Sequence, residues 1–471
     1  MKTSESPPFR ITPSTCREKL TRVLVALVFC LCLGCHRDDV APDGRIHLTY
    51  WEKWTGFEFE AMKKVVEMFN ASQDRIYVDL LSISQNERKV IVAIAGGNPP
   101  DVAGITSEFV PVLVQMNALY PLDGYLERAG IDGSQDFIDS YWRVCNYEGC
   151  TWALPTTGAA LAYHYNKKAF RKKGLDPENP PRSLEELEAL DPLLNDYTND
   201  RILHATFLPS EPDWWPFVWP MFFGGKLWDG KRTITLTSPE VVEAYEWVAS
   251  YSDRLGVERA QAFRGGFGDL FASPQNLFLS GKLYSELQGL WMDTFVQKYS
   301  PDLEYGVAPM PTKTEDLYGV SLVECDIIFI PRGSRHPNEA FEFMKFVTGQ
   351  TGAETFTTGM RSINPRKVRS EGYIENHPHP HIEFFDSLAM SDKAQASPRI
   401  PMWYEMLDEM KAVFDKVWLH KGEPYDILKA AEVRMQERLD QDMDRWESVR
   451  DVRKESWEEF IEKTRKGEDP L

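Results

Sequence analysis

The stretch YWRVCNYEGCTWALPTTGAALAYHYN, Tyr141 to Asn166, decides the fold. Tyr141, Trp142 and Val144 are aromatic and β-branched and read as a strand. Asn146-Tyr147-Glu148-Gly149 reads as a turn, with Gly149 free to take positive φ. Thr151, Trp152 and Leu154 form the predicted return strand, which Pro155 should stop because it has no N–H for the ladder. After a loop at Thr156-Thr157-Gly158, a new strand runs through Leu161, Tyr163 and Tyr165. The reading is hairpin, break, new strand.

Upstream, Arg45 to Tyr50 reads as a strand and Phe59, Met62, Val66 and Phe69 recur at helical spacing. Ile76, Val78 and Leu80 alternate as a second strand, Arg88 to Ala95 is a helix ended by Gly96-Gly97, and Asp101 to Ile105 is a third strand. That order predicts α/β architecture with a parallel sheet and helical crossovers. Downstream, Pro180-Pro181 precedes the capping box Ser183/Glu186. Ser238-Pro239 opens a helix that buries Val241, Ala244, Tyr245 and Val248. Cys325 to Ile330 is a buried strand, Asn338 to Thr348 a helix, and residues 405 to 466 two charged helices.

The order aromatic–Glu–Gly, then Ala-Leu-Pro, then Tyr-His-Tyr-Asn resembles the maltose-binding type of ABC-transporter solute-binding protein. So do Ala95-Gly96-Gly97-Asn98-Pro99-Pro100-Asp101-Val102, the Pro-Pro-x-Ser-Leu-Glu-Glu-Leu run from Pro180, and Gly281-Lys282 followed by Gly289-Leu290-Trp291. Tyr305 to Pro311 is similar to the family's usual exit strand. The resemblance implies a two-lobed, hinged, periplasmic-binding-protein-like fold of type II. One lobe is then 45–155 with 312–390 and the other 156–311 with 391–471. It also implies capture of a carbohydrate between the lobes, delivery to an ABC permease, no catalysis, no cofactor, and a monomer. Beyond Asp440 the chain extends past the family's usual end.

Charge narrows the partners. The formal net charge is −19, and without residues 1–35 it is about −22, from 48 basic and 70 acidic residues. No basic stripe offsets it, so nucleic acid is excluded as a partner. Residues 1–35 read as a targeting segment, basic as far as Arg22 and then apolar from Val23 to Leu33, too short to span a bilayer. Leu31-Cys32-Leu33-Gly34-Cys35 resembles the lipobox of bacterial lipoproteins, which implies acylation of Cys35, membrane attachment, and a tether over residues 36–44. Cys145 and Cys150 flank the turn and are expected to form a disulfide, while Cys325 reads as a small buried residue.

A sugar ring presents apolar faces and a belt of hydroxyls, so its site needs flat aromatic surfaces beside carboxylates and amides. Aromatic candidates are Trp51, Trp54, Trp214, Trp215, Trp219, Trp291 and Trp403; the last two match stacking positions of the family that the chain resembles. Polar candidates are Glu52, Asn86, Glu108, Thr156 and Asp326, with Lys53, Gln85, Ser107, Thr157 and Gly158 beside them, at or near strand C-termini where open α/β sheets bind ligands. The motif Asn376-His377-Pro378-His379-Pro380-His381 reads as an extended exposed loop rather than a metal site. Gly265-Gly266-Phe267-Gly268 is no phosphate loop. Carboxylate pairs such as Glu324 and Asp326 have the composition of a glycosidase acid/base pair, but among 72 acidic residues such pairs arise by chance. Alternatives that stay open are an exported carbohydrate-active enzyme, a sensor, and a binder of polyamine, peptide or glycerophosphodiester.

Overall fold

A computed structural model describes residues 43–265 and 271–470. The targeting segment, Cys35 and most of the tether lie outside the described residues, as do Gly266, Phe267 and Gly268. Residues 43–47 and 74–77 make a small unit, in which the Ile46 N–H donates to the Arg75 carbonyl at 2.9 Å and the Arg45 guanidinium sits 4.4 Å from the Tyr77 ring centre. The remaining described residues form the large unit.

The chain opens β1 (Ile46–Glu52), α1 (Gly56–Ser72), β2 (Ile76–Ser82), α2 (Asn86–Ala95), β3 (Val102–Thr106), the alternation read from the sequence. In α1, Met62, Val65, Val66 and Phe69 are buried, the stripe that the apolar spacing marks. β1 and β3 pair in parallel, with Tyr50 opposite Val102. Asp101 holds this edge by accepting from the Thr49 N–H at 2.9 Å and the Thr49 hydroxyl at 3.0 Å.

The decisive stretch folds differently from its reading. Residues expected as the first hairpin strand form a short helix, α3 (Asp139–Val144), which buries Tyr141 and Val144 on one side. Aromatic and β-branched residues three apart suit a helix face as well as a strand, and packing decides between them. The Tyr141 ring lies where a Cβ on Gly158 would have to be, so this close approach requires glycine. The hairpin is smaller than expected, with β4 (Asn146–Tyr147) pairing β5 (Cys150–Thr151). Its turn is the two residues Glu148 and Gly149, both at positive φ.

That turn places Tyr147 opposite Cys150, while the Cys145 carbonyl accepts from the Trp152 N–H. Cys145 therefore does not face Cys150. Both carry free thiols, as does Cys325, and the expected Cys145–Cys150 disulfide is corrected. Cys145 is buried, its thiol donating to the Tyr141 carbonyl at 3.4 Å.

The predicted break is absent too. β6 (Leu154–Asn166) runs unbroken through Pro155 and through Thr156-Thr157-Gly158. Pro155 sits opposite Ile327, where the register of the ladder shifts, and the irregularity absorbs the missing N–H.

Further elements are α4 (Pro239–Leu255), β7 (Ser285–Gly289), α5 (Met292–Tyr299), β8 (Tyr305–Ala308) and β9 (Ser321–Phe329), then α6 (Pro337–Thr348), α7 (Gln350–Met360) and β10 (Ala394–Gln395). The Ser183/Glu186 capping box forms as expected, ahead of the helix Leu184–Ala189. The main sheet runs β8-β6-β9-β3-β1-β2, with β7 also on β6 and β10 on β9. The two halves of β6 have different neighbours. Leu154 to Ala160 pair antiparallel with β9, and Leu161 to Asn166 pair with β7 and β8. One strand thus passes from the sheet of the N-terminal strands to the sheet of β7 and β8. β9 mediates on the N-terminal side, pairing β3 with Asp326 opposite Thr106.

In the histidine run Asn376, Pro378 and Pro380 are exposed as expected, but His377 and His379 are buried. His379 is 1% exposed, and its Nε2 lies 2.9 Å from the Leu290 carbonyl. The run is a series of turns and bends rather than the expected extended segment, and the His379 ring meets Phe385 edge-on with centres 5.5 Å apart.

The chain ends in α8 (Trp403–Trp418) and α9 (Pro424–Lys466). α9 has 43 residues, about 65 Å at 1.5 Å each. Its first half meets the loop before α4. There the Glu432 carboxylate accepts from the Thr237 N–H at 2.8 Å, and the Gln436 amide donates to the Arg232 carbonyl at 2.7 Å. Its second half meets residues 115–152, where Phe460 stacks on Tyr120 with ring centres 4.4 Å apart and Trp457 meets Trp152 edge-on at 4.7 Å. Among the described residues no helix is long and apolar enough to cross a membrane.

Candidate functional site

A cavity of about 380 Å³ lies where β6 changes neighbours. Its floor is the turnover region of β6 and β9, from Thr157 to Leu161 and from Leu322 to Asp326. One wall is aromatic. Trp214 and Trp215 meet edge-on at 5.5 Å, Trp215 and Trp291 lie 5.8 Å apart, and Phe271 packs on Trp214 at 4.4 Å. The Trp291 ring fills the place of a Cβ on Gly289, which fixes its plane against the end of β7. Trp54 also lines the cavity, with the Lys53 ammonium 4.2 Å from its ring centre. Lys53 Nζ also lies 2.5 Å from Asp326 Oδ1, an ion pair carried by β9. The indole N–H groups of Trp54 and Trp291 are buried and have no protein partner.

Of the residues singled out in the sequence, Trp54, Glu108, Trp214, Trp215, Trp291 and Asp326 come together here. The other six do not. Trp403 is 1% exposed and packs edge-on against Phe217 at 5.1 Å, so it is core at the start of α8. Trp219 is 3% exposed among Phe207 and Trp247. Trp51 packs against the main core from β1. Glu52 is buried and accepts from the Tyr50 hydroxyl and, at 2.7 Å, from the Lys53 N–H. Asn86 spends its amide on the carbonyls of Trp51 and Gly104, at 3.1 and 2.9 Å. Thr156 is turned away, its hydroxyl donating to the Asp326 carbonyl at 3.1 Å, and the next residue, Thr157, lines the cavity instead. Of the secondary candidates, Gln85 is exposed and away from the cavity, and the Ser107 hydroxyl donates to Glu324 at 3.1 Å.

Residues 57–354 match the family described as bacterial extracellular solute-binding protein. The chain belongs to that family. A Brucella abortus chain described only as a binding protein is 25% identical over 399 residues, which is 83% of this chain and 92% of that one. An uncharacterized ABC transporter extracellular-binding protein of Pyrococcus horikoshii is 21% identical over 68% of this chain and 72% of its own. Among solved structures, CpMnBP1 with mannotriose bound superposes with a TM-score of 0.73 at 25% identity, over 82% of this chain and 99% of that one. The sugar-binding protein MalE of Xanthomonas citri superposes with a TM-score of 0.70 at 18% identity, over 85% and 99%. The fold is accordingly the two-lobed α/β fold of these proteins, and the family places the chain outside the cytoplasm.

The cavity lining is acidic on balance. Glu58, Glu108, Glu324 and Asp326 line it against Lys53 and Arg361. Glu324 and Asp326, the pair read as glycosidase-like, are both engaged. Asp326 holds Lys53, and Glu324 accepts from the Ser107 hydroxyl and, at 2.7 Å, from the Ser397 N–H. Burial, and Glu324 beside it, push the Glu108 carboxyl well up from the usual carboxylate range. Burial raises Glu58 to about 7, against the pull of Lys53. Among the cavity residues with no mark in the sequence are Glu58 in the first turn of α1, Arg361 just after α7, and Phe271. Arg361 takes φ 58 as the cap of α7, a conformation that sequence reading assigns to Gly or Asn.

Proposed function

We propose that this protein captures a carbohydrate in the cavity lined by Trp54 and the Trp214–Trp215–Trp291 wall, and delivers it to an ABC permease. The supporting observation is that wall itself: three indoles within 6.4 Å of one another in a cavity that a fourth also lines, together with carboxylates, Lys53 and Arg361. Flat apolar surfaces suit the C–H faces of a pyranose, and the charged groups suit its hydroxyls. A solute of a few sugar rings is the natural size for about 380 Å³. The protein acts as a binder without chemistry of its own. The lobes are 45–155 with 312–390 and 156–311 with 391–471, and β6 is one of their crossings. Closure of the lobes around the ligand presents the closed form to the permease. A thermal-shift screen against a saccharide panel tests the reading. A ligand that binds only folded protein raises the melting temperature, and a panel with no hit, together with product release from any oligosaccharide, would replace the binder with an enzyme.

Attachment through Cys35 belongs to the same proposal. The Leu33-Gly34-Cys35 sequence supports it, and membrane fractionation of a Cys35→Ser variant tests it. A variant that stays on the membrane and still takes up palmitate refutes lipidation at this position.

A further inference from the structure

We infer that the ligand is a saccharide bearing a protonated amine, an amino sugar or an oligosaccharide containing one, with its ammonium group received by the acidic lining to which Glu108 and Glu58 belong. The inference rests on the carbohydrate reading of the cavity and adds the charge of its ligand.

The argument is one of charge balance in a closed space. Two of the cavity's charges cancel within the protein, because Lys53 is held by Asp326 at 2.5 Å. Arg361 is likewise neutralised, by Asp293 behind the wall, its Nε 2.7 Å from Asp293 Oδ2. Glu324 is held by the Ser107 hydroxyl and the Ser397 N–H. Glu58, Glu108 and Glu324 remain: among the described residues none of the three has a Lys or Arg in salt-bridge contact, and the donors on Glu324 are neutral and leave its charge uncancelled. Glu108 is the sharper case, since its Oε2 is buried and has no hydrogen-bond partner.

A buried carboxylate without a partner is costly, and the cost rises when a ligand expels the remaining water. Two solutions exist. The carboxyls can take up protons, a form that burial favours at both Glu58 and Glu108. Otherwise a ligand can bring the missing positive charge. A neutral sugar offers hydroxyls but leaves the acid excess where it was. An ammonium group offers three donors and a charge in one compact head. The aromatic wall favours it as well, because a cation is attracted to indole faces. The same wall also sets the class, since flat rings lining one cavity suit a ring-shaped solute better than a flexible chain.

The test is calorimetric titration of the purified protein with three disaccharides of one skeleton. They are β-1,4-linked glucosamine, its N-acetylated form, and cellobiose, with spermidine as a fourth probe, all at pH 6.5. The expected result is at least tenfold tighter binding of the amine-bearing disaccharide than of the two neutral ones. Glu108→Gln should reduce that preference to less than threefold, and Glu58→Gln should reduce it independently, so that a folding defect in one variant leaves the other to decide. If a neutral disaccharide binds as well as the amine, the charge inference is overturned and the carbohydrate reading stands. Binding of spermidine with no saccharide bound, or no binding by any of the four, overturns both.

Discussion

Arg361 and Asp293 meet behind the aromatic wall although they stand 68 positions apart in the chain. The Asp293 side chain is fully buried, and its Oδ1 accepts from the Tyr305 hydroxyl at 2.8 Å while Oδ2 takes Arg361 Nε at 2.7 Å. The Arg361 guanidinium lines the cavity. One carboxylate thus ties the start of α5 and the strand β8 to the residue that ends α7. In the proposed division of the chain, the pair spans the two lobes.

Removing one member of a buried pair strands the other charge, at a cost of about 3 kcal/mol or more. Arg361→Ala should therefore lower the melting temperature as well as ligand affinity. Asp293→Asn keeps an acceptor for Tyr305 but presents an amide to the guanidinium, and it touches no ligand. It should weaken binding by letting Arg361 wander. In a double-mutant cycle the two changes should couple by more than 1 kcal/mol in stability. Additive effects would mean that the contact carries no energy.

Trp291 and Trp403 should separate cleanly. Trp291 lies in the cavity wall, and Trp291→Ala should weaken ligand binding by roughly 2 kcal/mol or more with little loss of stability. Trp403 is core, so Trp403→Ala should cost about 3–5 kcal/mol of folding stability and leave the affinity of the folded fraction unchanged. Calorimetric affinity and denaturant unfolding on both variants check this. Equal stability losses in the two would make Trp291 a core residue too.

The pair also shows what the sequence could tell. Both tryptophans stand near strand or helix ends, and the local pattern around each is alike. What differs is the partner. Phe217 covers Trp403, and no spacing in the chain announces that meeting, whereas Gly289, two residues before Trp291, lets the ring lie flat at the cavity. The α/β order of the first three strands was legible because hydrophobic period and Gly-Pro punctuation agree there. The C-terminal end of a strand locates a cleft, but alternation along the strand decides which side chain faces it, as with Glu52 at the end of β1, and that depends on register. Asn86 instead opens α2 and spends its amide on the carbonyls of Trp51 and Gly104, and Thr156 stands near the start of β6. Arg361 left no mark, since a cap in the left-handed region and a partner 68 residues away are both tertiary facts.

His379 gives a signed pH dependence. Burial lowers it to about 4, so the folded protein takes its proton less readily than the unfolded chain does. Its contribution is complete above the unfolded value near 6.5 and is lost as pH falls toward 4, by at most about 3 kcal/mol. The stability advantage of wild type over His379→Gln should therefore be constant above pH 7 and shrink steadily from pH 6.5 to 4.5. Denaturant unfolding of both proteins across this range measures it. A gap that is flat with pH would mean that the imidazole is solvated.

The end of α9 is the last prediction. Its residues 441–466 lie along the segment that carries Tyr120, Tyr125, Glu148 and Trp152. Trp446 Nε1 donates to Glu148 at 3.1 Å, Lys454 pairs with the same carboxylate at 2.9 Å, and Arg128 donates to the Thr464 carbonyl at 2.9 Å. Gly124 lies so close to the Ile461 carbonyl that a Cβ would collide with it. The first half of the same helix is fixed to Thr237 and Arg232, on the far side of the β6 crossing in sequence. A rigid rod held at both places restrains their relative movement. Truncation after Asp440 uncovers Tyr125 and Trp152, both nearly inaccessible in the intact chain. It should lower the melting temperature and speed hydrogen exchange in residues 115–152. It should also raise the ligand-free radius of gyration measured by X-ray scattering, because the restraint is gone. Trp457→Ala is the milder variant, expected to cost about 3–5 kcal/mol through the lost contact with Trp152. Gly124→Ala should reproduce part of the exchange change by pushing the helix off without shortening it. If the truncated protein matches the intact one in melting temperature, exchange and scattering, the tail is an appendage that neither stabilises nor restrains.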